Sequence, residues 1–104
     1  MAMKQLTEIP DEWKNISDLF VALGDEQRQR ILLAFEPKER MNILQIVAGS
    51  KLSRTAVTHH LKMLHASGAL KSEKIGKEVF FWVDAPHMIE AIEAVLNYIK
   101  YDSA

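Results

Sequence analysis

Apolar positions Ile9, Trp13, Ile16, Phe20 and Leu23 recur at steps of four and three, the spacing of one stripe along a helix. Pro10 suits a first helical turn, Asp11 and Glu12 complement the positive end of the helix dipole, and Gly24 is a natural stop. Asp25 caps a second helix carrying Ile31, Leu32, Ala34 and Phe35 on its apolar side. Residues 36–40, Glu-Pro-Lys-Glu-Arg, are polar, contain a breaker and read as a loop. Asn42 followed three residues later by Gln45 marks a third helix, short, with Ile43, Leu44, Ile46 and Val47, ended by Gly49. After the turn Gly49–Leu52, Ser53 caps a longer helix that runs to about Ser67 and stops at Gly68. Two helices joined by a tight turn containing Gly form a helix-turn-helix pattern.

The period then changes. Residues 69–75 and 78–83 flank Gly76-Lys77, and the second run, Glu-Val-Phe-Phe-Trp-Val, is β-branched and aromatic. A Gly-X pair between two such runs predicts a two-residue hairpin. Alternation places Val79, Phe81 and Val83 toward the core and leaves Phe80 and Trp82 half-exposed or covered by the terminal helices. Asp84-Ala85-Pro86 opens a last helix with the stripe Ile89, Ile92, Leu96 and Ile99, and with Met88 and Val95 alongside. The expected fold is mostly α with a small β-hairpin: a winged helix-turn-helix in the order α-α-α-α-β-β-α, filling residues 1–104 as one domain with terminal helices on either side.

Composition agrees with a globular domain. The chain has 104 residues, 48% apolar and 26% charged, which excludes disordered and collagen-like classes. No apolar run approaches the roughly 20 residues of a membrane span, and residues 1–8 lack the apolar stretch of a signal peptide, so a cytoplasmic location is expected. With no cysteine, disulfides, thiolate metal sites and thiol redox switches are excluded.

Net charge is -1, but it is unevenly spread. Residues 51–78 carry six Lys/Arg against Glu73 and Glu78, together with His59, His60 and His65, while the segments on either side are net acidic. A basic centre between acidic ends suits a polyanion on one face. Counting 100° per residue along the fourth helix turns Val57, Leu61 and Leu64 to the core and Thr55, His59 and Lys62 away from it, with Thr58 at the edge and Arg54 before the first full turn. Those outward residues suit DNA. Arginine can fork onto guanine, hydroxyls and neutral imidazole both donate and accept, and lysines hold phosphates. The expected DNA-binding set is Ser53, Arg54, Thr55, Thr58, His59 and Lys62, with Lys74 and Lys77 of the hairpin reaching adjacent phosphates or the minor groove. His60 borders the apolar side and reads as structural, and His65 as solvent-exposed. There is no Gly-rich phosphate loop and no assembled nucleophile, so an enzyme is not expected. The rival reading, kept alive by the acidic ends, is a winged helix that binds protein without specific DNA binding.

The stretch Leu23-Gly24-Asp25-Glu26-Gln27-Arg28-Gln29-Arg30-Ile31-Leu32 resembles the opening of the ArsR/SmtB family of bacterial winged-helix repressors. Residues 52–64, with their His59-His60-Leu61-Lys62, resemble that family's recognition helix, and Ala66-Ser67-Gly68-Ala69-Leu70 followed by the Gly76-Lys77 wing is similar as well. The resemblance covers roughly residues 16–84. It implies a homodimer built from the first and last helices, an inverted-repeat operator in double-stranded DNA, and repression released by an inducer of unknown identity. The residues available for the dimer face are Trp13, Ile16, Phe20, Ile92, Val95 and Ile99, although the same side chains would serve equally to close a single core.

The chain departs from the family where many members hold metals. The helix before the recognition helix offers Met41–Val47 with no ligand. In the last helix two residues separate Asp84 from His87, and the later positions are Tyr98 and Tyr101. Glu90 could stand beside His87, but two ligands do not make a site. No metal and no cofactor are expected. The five methionines, Met1, Met3, Met41, Met63 and Met88, read as initiation or core filling.

Overall fold

The computed structural model describes residues 7–103. Residues 1–6, on which the reading of the chain's start largely rests, lie outside the described residues, Met1 and Met3 among them. Helix α1 spans Asp11–Leu23, α2 Glu26–Ala34, α3 Ile43–Ala48, α4 Arg54–Ala66 and α5 Ala85–Asn97. Strands β1 (Met41–Asn42), β2 (Leu70–Ile75) and β3 (Glu78–Val83) form one antiparallel sheet in the order β1-β3-β2.

Local chemistry sets the boundaries. Asp25 accepts the backbone N–H of Arg28 at 3.1 Å and starts α2. Asn42 and Gln45 exchange bonds of 2.9 and 2.8 Å, a reciprocal capping box that starts α3. Ser53 accepts from Ala56 N at 3.1 Å, and Asp84 accepts from His87 N at 3.2 Å, ahead of α4 and α5. Helix α4 ends in a Schellman motif. Gly68 takes φ +85°, its N–H reaches His65 O at 3.1 Å, and Ala69 N reaches Leu64 O at 3.0 Å.

The hairpin closes through Gly76, whose φ of +63° at the first central position, with Ile75 paired to Glu78, is the pattern of a type II′ turn. The sheet also has a third strand beyond the expected hairpin. β1 pairs Met41 with Phe81 and Asn42 with Phe80, so α3 is anchored at its start to the wing sheet.

The core joins Ile16, Leu19 and Ala22 of α1, Ile31 of α2, Ile46 of α3, the Val57-Leu61-Leu64 face of α4, Leu70 and Phe81 of the sheet, and Ala91 of α5. Both terminal helices correct the expected stripes. In α1 the buried line is Ile16, Leu19 and Ala22, while Phe20 and Val21 stay exposed, as does Ile9 ahead of the helix. In α5 only Ala91 is buried, with Met88 and Val95 packed against the core, and Ile89, Ile92 and Leu96 face outward, as does Ile99 in the turn that follows. Ile16, at 6% exposure, is therefore a core residue with almost no surface left for a partner. The chain continues past α5 into a π-helical turn, Tyr98–Asp102, whose Tyr98 ring meets Trp13 edge-on at 5.5 Å. The radius of gyration, 16.4 Å, exceeds the roughly 13 Å of a compact chain this long. The molecule is elongated, 58 × 25 × 24 Å.

Among the described residues no helix is long and apolar enough to cross a membrane.

Candidate nucleic-acid interface

Helix α4 has one apolar face, and this decides where everything else points. Val57, Leu61 and Leu64 are sealed in the core, while Ser53, Arg54, Thr55, His59 and Lys62 are exposed and Thr58 is half-buried at the border. Across from the start of α4 stands the hairpin tip. Arg54 and Lys77 line one shallow depression with Asn42, Ile43, Leu44, Val79 and the carboxylate residue Glu78, so the recognition helix and the wing tip share a surface. Lys74 is exposed on β2. Among the described residues none of Arg54, Lys62, Lys74 or Lys77 has a carboxylate within 4.0 Å, whereas Lys71 lies 4.0 Å from Asp84, and Glu73 is taken by Arg40 at 2.8 Å. Four of the cations without an ion pair among the described residues thus lie on α4 and the wing.

Trp82 is half-buried. Arg40, at the end of the loop before β1, stacks 3.9 Å above its ring while holding Glu73. This fixes the outer face of the wing sheet. Phe80 is likewise half-buried, and Phe81 faces the core.

Behind α4 sits a residue whose position the apolar pattern does not reveal. Arg28 is 8% exposed. Its Nε donates to Ala22 O at 2.6 Å and its Nη2 to Val21 O at 3.2 Å, so a cation caps the carbonyl end of α1. Its Nη1 reaches Met63 Sδ and His60 Nδ1, both at 3.3 Å. A guanidinium only donates, so this contact requires an unprotonated Nδ1 on His60. His60 is thus half-buried and engaged inward, while the neighbouring His59 and His65 are exposed. The sequence signals Arg28 only through spacing: it precedes Ile31 by three residues, on the inward side of α2.

The candidate metal residues are otherwise engaged. Asp84 caps α5, and the His87 ring packs under Gly68 with Nε2 buried and unpartnered. Among the described residues no three His, Cys, Asp or Glu side chains stand close enough to hold a metal ion.

Residues 25–72 match the family described as "Bacterial regulatory protein, arsR family". Of curated proteins, the "Transcriptional repressor SmtB homolog" of Synechocystis sp. is 24% identical over 90 residues, covering 86% of this chain and 67% of that protein. The cadmium resistance transcriptional regulatory protein CadC of Listeria innocua is 26% identical over 84 residues, covering 81% and 71%. Among solved structures, an ArsR-like transcriptional regulator from Rhodococcus sp. RHA1 superposes with a TM-score of 0.79 at 22% identity, over 90% of this chain and 89% of that one. HlyU from Vibrio cholerae N16961 does so with 0.67 at 20% identity, over 88% and 98%. At those identities the structures speak for the fold, a helix-turn-helix followed by a wing. The matched segment runs from the cap of α2 through α4 into β2, so it contains the exposed α4 face; residues 25–72 carry a helix-turn-helix of the arsR type within a winged-helix fold, and the relatives they match are named transcriptional regulators.

Proposed function

We propose that the chain is a single-domain, homodimeric repressor that reads an inverted-repeat operator. Arg54, Thr55, Thr58 and His59 face base edges in the major groove, and Ser53, Lys62, Lys74 and Lys77 hold phosphates. The observation that carries this reading is the shared surface of Arg54 and Lys77, cationic groups from the start of α4 and the wing tip that form no ion pair within 4.0 Å among the described residues, although Glu78 lines the same depression. The relative named a transcriptional repressor supports repression over activation.

The dimer is supported by the outward faces of the terminal helices. Phe20 is 44% exposed, Ile92 46% and Ile99 55% on helices that pack together. An apolar surface of this kind on an elongated chain suits a second copy. The half-buried Trp13 sits at its margin, while Ile16 and Val95 support it from the core side. The signal is not a thiol, since the chain has no cysteine, and we assign no metal to it because Asp84 and His87 are committed to capping and packing.

Selection of bound sites from a random duplex pool by the purified protein tests the reading. Enrichment of an inverted repeat with half-sites about 34 Å apart is the expected result. No enrichment across a range of salt would overturn it in favour of a protein-binding module. Arg54→Ala or His59→Ala should narrow the gap between operator and random DNA. An equal loss on both would remove the base-reading role.

A further inference from the structure

Helix α2 and the helix-turn-helix do not close fully on each other. Between α2, α3 and the turn at 49–52 lies a cleft of about 520 Å³, within the 300–1,000 Å³ usual for small-ligand pockets. Its floor is apolar: Ile31 and Ile46 belong to the core, and Leu52 packs against it. Its rim is polar and carries one sign of charge. Lys51 and Arg30 stand there with Gln27 and Gln45, and no carboxylate lines the cleft.

The two cations are not equivalent. Arg30 is held by Glu26 at 2.9 Å, whereas Lys51 is exposed with no acid within 4.0 Å among the described residues. Gln45 spends its Oε1 on the capping bond from Asn42 N, which leaves its Nε2 hydrogens as donors. The cleft therefore offers an apolar floor, an ammonium and an amide donor. That combination fits a small carboxylate attached to a compact apolar body, with the carboxylate on Lys51 and Gln45 and the body over Ile31, Ile46 and Leu52.

The cleft's position gives such a ligand leverage. Ser50 Oγ accepts from Leu52 N at 2.9 Å, and the next residue, Ser53, caps α4. An occupant bridging Ile31 and Leu52 sets the spacing between α2 and the start of the recognition helix. It also neutralises Lys51 beside that helix. We propose that the cleft is an effector site for an apolar monocarboxylate and that its occupation weakens DNA binding. This rests on the regulator reading above. Coupling between the sites is reciprocal, so DNA must weaken the ligand by the same factor.

The test uses the full chain without DNA first. Amide spectra are followed during titration with phenylacetate, with phenylacetamide (same body, no charge) and with acetate (same charge, no body). Saturable shifts at Ile31 and at residues 45–52 are expected with phenylacetate, at least tenfold weaker with either control. Lys51→Gln should weaken phenylacetate at least tenfold, and Ala34→Trp, which fills the cleft from an exposed position of α2, should abolish it while leaving the fold intact. A silent titration, equal shifts with all three compounds, or indifference to both variants would overturn the site.

Affinity for a selected duplex is then measured with phenylacetate against equimolar acetate. A loss of about tenfold is expected, and no loss would overturn the effector role. If the titration is silent and Lys51→Gln lowers the salt slope of DNA binding, Lys51 belongs to the phosphate footprint and the proposal fails while the regulator reading stands. Saturable binding by a protein that enriches no duplex would instead sink the regulator reading.

Discussion

Replacing Gly68 by Ala perturbs the junction between the end of α4, the start of the wing and the first turn of α5. Two separate costs follow from the geometry. The backbone at Gly68 has φ +85°, and an L-residue in the left-handed region costs about 1–2 kcal/mol. The added Cβ would also lie 2.4 Å from His87 Nε2 and 2.6 Å from its Cδ2. The Nε2 it meets is buried beneath Gly68 and has no hydrogen-bond partner. Overpacking of this kind costs about 1–3 kcal/mol. The sum is about 3.5 kcal/mol at its centre, a fall in Tm of about 14–28 °C for a domain of this size.

The two costs separate in a double-mutant cycle read by denaturant unfolding at one fixed protein concentration, because a dimer's stability depends on concentration. In a His87→Ala background the clash is gone and only the backbone strain remains. Gly68→Ala should then cost about 1–2 kcal/mol, so that the coupling equals the overpacking term. An additive cycle would mean that the imidazole simply swings aside, and the account of His87 as a fixed wedge would be wrong. A Gly68→Ala protein as stable as the parent would refute both parts.

Three further outcomes are expected. Lys77→Ala should weaken operator and random DNA alike and lower the salt slope by about one for each phosphate left without its lysine; an unchanged slope removes the wing from the footprint. Arg28→Met leaves the Ala22 carbonyl without its donor and the Val21 carbonyl with the Gly24 N–H alone, for a loss of about 1–3 kcal/mol in denaturant unfolding, and undiminished stability would count against the clamp. The Arg28 backbone N–H, as the largest cause, holds the Asp25 carboxyl below its ordinary value of 3.8; its contribution is present above that value and disappears as pH falls through the lower native one, so Asp25→Ala should flatten the acid limb of the stability profile.

What can be read from the sequence is what is local. The caps at Asp25, Asn42, Ser53 and Asp84 each act over three residues, so the chain alone places them. The α4 face is legible because its apolar residues lie on a single side, which leaves no choice about the other. The terminal helices have apolar residues on two sides. Periodicity alone therefore merges the inward Ile16 with the outward Phe20, and it passes over Leu19 and Ala91, whose burial depends on which helices pack against them. Strand β1 is invisible for a similar reason. Two residues carry no period, and only the distant partners Phe80 and Phe81 make Asn42 and Met41 a strand. Arg28 escapes because a buried position filled by a cation reads as surface until the carbonyls that satisfy it are located.

These non-local features converge on the recognition helix. Arg28 ties the carbonyl end of α1 to His60 and Met63, side chains on the inner side of α4. His87, in the first turn of α5, is wedged against Gly68 just beyond the other end of α4. The helix is thus fastened along its body to α1 and at its end to α5, the two helices whose outward faces are apolar. A second copy docking on those faces would fix the relative placement of two α4 helices through rigid connections, with no loop between the dimer face and the DNA face to absorb a mismatch. The spacing of half-sites is then a property of how α1 and α5 pair. A substitution that only reorients that pairing, such as a larger side chain at exposed Ile92, should shift the preferred spacing of half-sites in a random-pool selection while each half-site sequence stays the same.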